Sequence, residues 1–393
     1  MTELTLSVFE HGTASIERLK ERLREFEMEQ NVRVHVETMG WDTGWPRLIE
    51  VALRQDGPDV SEIGSTWVMD FVHMNALRPF MRDEISKITG GARFFEATWK
   101  SCIASDGLER TIWAIPWAGD VRAVYYRRDL LEQAGVDETT AFTDARSFAS
   151  TLDALQRHGV AIPLSLPTLR SRLSVHNLAS WVWGAGGDFL SEDGRRTLFT
   201  QQKTQEGFKT YFSLGRYLGD QPLRDEATSD EMFWSGQAAV TVSGYWLMQE
   251  ARMDEQVRAH LGTTRLPVVP FVGGNNLAIW KHTRQPRQAV ELIRFLSSPD
   301  IEQDLYPNFG LPIRENGWSK PPFDQPEYQV LYQSFVAGRS FPNVRLWGLV
   351  EKRLTEMIPE TWKQVLQNPD QVETIVEAQL ARLTSRLETA ING

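Results

Sequence analysis

The stretch from Leu4 to Val36 constrains the fold more than any other. Leu4, Leu6 and Val8 alternate with polar neighbours, which is the period of a half-buried strand. His11-Gly12 turns the chain, and Ser15 is expected to cap a helix. In that helix Ile16, Leu19, Leu23 and Phe26 recur at three- and four-residue spacing. Val32, Val34 and Val36 then alternate again. Strand, helix and strand within ~30 residues make a βαβ unit, which implies a parallel sheet and an α/β architecture.

The following residues extend that sheet. Met39–Trp45 reads as a loop, and Pro46 as the first turn of a helix buried through Leu48, Ile49, Ala52 and Leu53. Val60–Ile63 is a third strand, ending at Gly64-Ser65-Thr66-Trp67. Three successive strands thus end in polar-aromatic loops, at His11, Trp41–Trp45 and Ser65–Trp67. In open α/β sheets the carboxyl ends of the strands line the ligand crevice, so these loops are expected to face one place.

A chain of 393 residues exceeds what one hydrophobic core usually holds, so two domains are expected. The segment Ile112–Val136 reads as a crossing between them. It holds an apolar run broken by Pro116, a loop Trp117–Asp120, a buried strand Val121–Tyr126 and a helix Asp129–Ala134 stopped by Gly135. Leu261–Val269 and Gly310-Leu311-Pro312 are taken as the second and third crossings. The expected division is 1–112 plus 265–310 for one lobe and 113–264 plus 311–393 for the other. Within these, Asn177–Gly194 carries Trp181 and Trp183 on a helix, of which one is expected to be core. Ala238–Val242 is a strand whose end, Ser243-Gly244-Tyr245-Trp246, opens the next helix. Gly273–Asn276 reads as a turn before the strand Leu277–Trp280, and Pro286–Leu296 as a helix.

Several function classes fall away. The formal net charge of −10 argues against nucleic acid or an anionic membrane as partner, and the pairs Arg127–Arg128 and Arg195–Arg196 read as solvated faces. The single cysteine, Cys102, allows no internal disulfide. No apolar run approaches the ~20 residues needed to span a bilayer. The N-terminal MTELTLSVFEHG lacks the basic and long apolar regions of a signal peptide. That leaves either a cytoplasmic location or a mature chain outside the membrane. There is no phosphate-binding Gly-rich Lys loop, no nucleophile elbow and no His-Glu-x-x-His, and the seven histidines show no metal-ligand spacing. No cofactor or metal is therefore expected.

Fourteen tryptophans are the compositional oddity, and several stand beside Gly, Asp or Pro. Five segments, in this order, resemble one family. They are GPDVSEIGSTWVMDFVHMNALRPF, IPWAGDVRAVYYRRDLLEQAGV, SWVWGAGGDFLSEDG, FWSGQAAVTVSGYWLM and GGNNLAIWKHTRQPRQAVELIRFLSSPDIEQ. Together they resemble the extracellular solute-binding proteins of ABC importers, in the carbohydrate-binding, maltose-binding-protein-like branch. The resemblance implies a periplasmic-binding-protein-like fold of two α/β lobes with three hinge crossings and a ligand cleft between them. It also implies a monomer outside the cytoplasm that delivers a small carbohydrate or polyol to the transmembrane subunits of an ABC permease. A sugar offers an apolar C–H face and a rim of hydroxyls, which match indoles, carboxylates, amides and guanidinium groups. The candidate platforms are Trp41, Trp67, Trp117, Trp183, Tyr245 and Trp246, with Trp45 beside them. The candidate polar contacts are His11, Asp42, Ser65, Asp120, Gly244, Asn275, Asn276 and Arg345, the last next to Trp347. A glycoside-processing enzyme would need two carboxylates at a set separation, and Asp42 and Asp120 have no motif around them. That alternative, and a ligand-binding unit feeding a sensor, remain open at this level.

Overall fold

The strands, in chain order, are β1 (Thr2–Phe9), β2 (Val32–Met39), β3 (Val60–Gly64), β4 (Ile103–Ser105), β5 (Arg110–Ile112) and β6 (Ala114–Val121). They continue with β7 (Ala123–Arg127), β8 (Leu164–Ser165), β9 (Val240–Ser243), β10 (Leu261–Arg265) and β11 (Val272–Ile279). The computed structural model describes residues 2–105, 110–220, 222–248, 252–306, 308–344 and 346–392, without the side chains of residues 42, 105, 110 and 389–392. The chain forms two units. Unit 1 comprises Met1–Asp120, Val272–Tyr328 and Ser340–Gly348; unit 2 comprises Val121–Phe271, Gln329–Arg339 and Leu349–Gly393.

Unit 1 is built on the sheet β2-β1-β3-β11-β6. β1 runs parallel to β2 and to β3, as the βαβ pattern requires, while β11 runs antiparallel to β3. Alternation along the strands sends side chains to two cores. Leu4, Leu6, Val8, Leu277 and Ile279 pack with the stripe Ile16, Leu19, Leu23 and Phe26 of the helix Thr13–Gln30 and with the helix Pro286–Leu296. Phe9, Ile63, Ala278 and Trp280 pack on the other face with Leu48, Val68 and Phe71. Gly12, not Ser15, caps the first helix: its φ of +87° turns the chain straight into Thr13, and Ser15 is buried within the first turns.

Three expectations for unit 1 are corrected. Trp41–Trp45 is not a loop, because helix begins at Trp41 behind an extended Gly40 and Pro46 falls inside it. Trp117–Asp120 is not a loop either. β6 is the outermost strand of its sheet, where proline is tolerated, and it runs through Pro116 unbroken. Gly273–Asn276 belongs to β11 rather than to a turn. Gly274, at φ +128°, permits close approach of backbone: a Cβ there would stand 2.0 Å from the Ala118 carbonyl oxygen.

Unit 2 carries the sheet β10-β7-β9-β8. β7 is antiparallel to β10 and β9, and β8 is parallel to β9. Helices Arg172–Gly184 and Gln202–Ser213 cross closely at Gly207, where a Cβ would lie 2.4 Å from the Val182 Cα. Trp362 closes the far side of this core against Tyr211 and Phe212. Arg127, expected on a solvated face, is 8% exposed and donates from Nε to Asp129 Oδ1 at 2.7 Å. Of the segment Leu261–Val269, expected as a crossing between lobes, Leu261–Arg265 is a strand of this sheet, and Gly310–Pro312 lies within unit 1, where Leu311 bridges Gly119. The chain passes between units at 120/121, 271/272, 328/329, 339/340 and 348/349.

Candidate functional site

In unit 1 the sheet itself gathers the candidates. β1, β2 and β3 are parallel neighbours, so His11, Trp41 and Ser65 follow three adjacent carboxyl ends. Asn275 pairs with Gly64 across β3 and β11, and the Ser65 N–H donates to the Gly274 carbonyl at 2.9 Å. Asp120, at the end of β6, follows Gly119, which stands beside Gly274. Trp41 is the exposed member, 49% accessible, stacked on Phe9 at 4.1 Å and 8°, with its indole N–H reaching the Glu10 carbonyl at 3.3 Å. Phe9 also meets Trp67 edge-on at 5.7 Å, and Trp67 meets Trp45 at 5.1 Å. A buried carboxylate holds this end of β1 in place. Glu62 Oε2 accepts the Phe9 N–H at 2.7 Å, and Oε1 lies 2.9 Å from His11 Nε2.

Unit 2 contains a recess at the end of β9. Trp246 follows β9 on a 3₁₀ turn, Tyr245–Met248. Its indole N–H donates to Asp230 Oδ2 at 2.7 Å, and the Ser243 hydroxyl donates to Asp230 Oδ1 at 2.9 Å. The Arg122 guanidinium, 1% exposed, lies 5.0 Å from the Trp246 ring centre and donates to His176 Nδ1 at 3.2 Å. His176 stacks on Phe271 at 3.9 Å and 13°. Burial, with Arg122 and Arg172 close by, holds His176 well below its ordinary pKa, so the ring is neutral and accepts from Arg122. Burial also pushes the Asp230 carboxyl above the ordinary aspartate range, against the hydrogen bonds from Trp246 and Ser243 and the charges of Arg122 and Arg252. Asn177, 2% exposed, lines the same recess, and its Oδ1 has no hydrogen-bond partner among the described residues. A buried amide oxygen left unmatched costs roughly 1–3 kcal/mol, a cost that a donor entering the recess would remove. Indole, guanidinium, carboxylate and amide at one recess can together meet an apolar face and hydroxyl groups.

Other candidates are placed elsewhere. Trp117 is 1% exposed, in the core of unit 1, tilted against Phe309 at 5.2 Å, and its carbonyl accepts from the Tyr306 hydroxyl. Trp183 is 4% exposed; its N–H donates to Asp188 at 3.2 Å and the Arg339 guanidinium covers its ring at 4.9 Å. Trp181 is buried as well, against Phe148, so neither indole of that helix is an open platform. Asn276 is 2% exposed and donates to Ser101 Oγ at 3.0 Å. Gly244 is buried under Trp246, whose ring would stand 2.1 Å from a Cβ, so it serves that side chain's position. Arg345 and the side chain of Asp42 lie outside the described residues. The sequence reading missed Asp230 and Asn177 because each sits inside a helix with no motif around it.

Unit 1 holds a second polar recess, lined by Glu302, Gln303 and Arg314 among others. Glu302, 5% exposed on the helix Pro299–Leu305, faces Arg314 with Oε1 3.7 Å from Nη2. Burial pushes its carboxyl up to about 8, against the lowering effect of Arg314. Among the described residues no group of three or more His, Cys, Asp or Glu could hold a metal ion, and no helix is long and apolar enough to cross a membrane.

Residues 21–316 match the model of a family described as bacterial extracellular solute-binding protein. The chain belongs to that family. Among curated relatives, the diacetylchitobiose binding protein DasA of Streptomyces coelicolor is 24% identical over 369 residues, covering 90% of this chain and 80% of that protein. A putative binding protein of Brucella abortus (strain 2308) is 23% identical over 331 residues, 80% of this chain and 76% of the relative. Among solved structures, an ABC transporter solute binding protein of Thermotoga lettingae bound with α-D-tagatose superposes with a TM-score of 0.82 at 17% identity, covering 98% of this chain and all of that one. The sugar-binding protein MalE of Xanthomonas citri gives 0.82 at 20% identity, over 99% and 98% of the two chains. These likenesses establish the two-lobe periplasmic-binding-protein fold.

Proposed function

We propose that this chain is the non-catalytic solute-binding component of an ABC importer. It takes up a carbohydrate or polyol outside the cytoplasmic membrane, as a monomer, and delivers it unchanged to the permease subunits. The observation that carries the reading is the recess at the end of β9, where Trp246, Arg122, Asp230 and Asn177 combine an aromatic face with fixed polar groups. Trp41, Ser65 and Asp120 are the contacts proposed on unit 1. The relatives support the ligand class: DasA is a diacetylchitobiose binding protein, and structurally similar proteins hold tagatose, ribitol and mannitol. Asp230 accepts one hydrogen bond on each oxygen, from Ser243 and Trp246, which suits a fixed acceptor better than a mobile proton donor.

A thermal-shift screen against sugars and polyols, with hits confirmed by calorimetry, tests the reading. Binding to the folded state alone raises the melting temperature by mass action. The expected result is a saturable shift with the sugar recovered intact. A hit that is consumed would establish an enzyme instead, and silence across the panel would overturn the carbohydrate class.

A further inference from the structure

Among the described residues that line it, the recess of unit 2 carries one guanidinium and two carboxyl groups. Its one lining cation, Arg122, is already spread across Trp246 at 5.0 Å and Phe271 at 5.9 Å and donates to His176. Two carboxyl groups line the same space, those of Asp230 and Glu226, and Asn177 Oδ1 adds an acceptor with no partner among the described residues. Asp230 is 9% exposed and held by two donors, so it cannot swing away from an incoming group. Carboxylate oxygens have lone pairs beyond those already used and welcome a hydroxyl hydrogen, but they repel a second anion. In a site shielded from water, that repulsion is stronger than at the surface.

We propose that this recess selects the uncharged form of its ligand, a hydroxyl-rich group, and rejects the corresponding sugar acid, with Asp230 as the residue that sets the preference. The inference rests on the carbohydrate reading above and adds charge selectivity to it. Two lining carboxylates oppose the anion, while Arg122, the cation among the described lining residues, is committed to aromatic faces and an imidazole; Arg172 and Arg252, whose charges reach His176 and Asp230, are not part of that lining.

The test is calorimetric titration with matched pairs: maltose and maltobionate, diacetylchitobiose and its aldonic acid, D-mannitol and D-mannonate. For whichever pair binds, the neutral member is expected to bind at least tenfold more tightly at pH 7.5. The variant Asp230→Asn keeps the acceptor and the shape but removes the charge, and should shrink that ratio to threefold or less. An acid that binds as tightly as its parent would overturn the selectivity while leaving the carbohydrate reading intact. A ratio unchanged in Asp230→Asn would overturn the role of Asp230. Should no member of any pair bind, the carbohydrate reading itself fails and the selectivity with it. The wild-type ratio needs no variant, so the proposal stays testable even if the substitution prevents folding.

Discussion

Glu302→Gln in unit 1 should make the protein more stable as the pH rises. The Glu302 carboxyl is buried, with its pKa raised from the ordinary 4.5 to about 8. A group whose folded-state pKa is raised by burial stabilises fully below the unfolded value. That stability is then lost as the pH climbs through the folded value, because the unfolded chain releases the proton first. The interval from 4.5 to about 8, at about 1.4 kcal/mol per pH unit, sets a ceiling near 5 kcal/mol. That value already contains the pull of the Arg314 guanidinium, 3.7 Å away, and relaxation of the surroundings around the new anion reduces the expected loss to about 2–3 kcal/mol between pH 5 and pH 8. Glutamine fills the same space without titrating. Wild type and Glu302→Gln should therefore melt together at pH 5 and separate by pH 8, the variant melting about 5–10 °C higher. Differential scanning calorimetry across that range reads the effect. A melting difference that stays constant from pH 5 to pH 8 would refute the reasoning, since it would mean that Glu302 ionises at its ordinary pKa.

Three further outcomes follow from contacts already described. Gly274→Ala forces a side chain to 2.0 Å from the Ala118 carbonyl at a φ of +128°, and should cost unit 1 about 3 kcal/mol or more in chemical denaturation. Glu62→Ala leaves the Phe9 N–H and His11 without their buried acceptor and should destabilise by about 3–5 kcal/mol, whereas Glu62→Gln, which keeps an acceptor, should lose clearly less. Trp246→Phe removes the donor to Asp230 and part of the aromatic face; affinity for any sugar that binds should fall tenfold or more, measured by calorimetry, with folding retained by circular dichroism.

The sequence was most legible where period and burial agree. Leu4–Val8 and Val32–Val36 alternate because one face of each strand meets a helix, and Pro286 opens its helix where a missing N–H costs nothing. It misled where a local signal had two physical meanings. Pro116 can end a strand or sit on an edge strand, and only the sheet order distinguishes these. Gly273-Gly274 can mark a turn or the close approach of another backbone, and the distance to Ala118 decides for the latter. Tryptophans beside glycine or aspartate looked exposed, yet Trp117 and Trp183 are core, since Phe309 and Arg339 reach them from distant parts of the chain. The recess in unit 2 was half legible. Trp246 announced itself at a strand end, whereas Asp230 and Asn177 lie on helices whose approach to that end no local pattern encodes.

β11 has a consequence for how the molecule comes into being. It lies between β3 and β6 in the sheet of unit 1, yet its first residue, Val272, is synthesised 151 positions after Val121 closes β6. Until then a growing chain carries β3 and β6 as two bare edges, open to pairing with any passing strand. The first unit cannot mature vectorially: most of the second must leave the ribosome before β11 arrives to seal the gap. Such late, long-range closure is slow and leaves sticky intermediates behind it. A nascent chain halted at Phe271 would therefore be an aggregation hazard rather than a finished half-molecule.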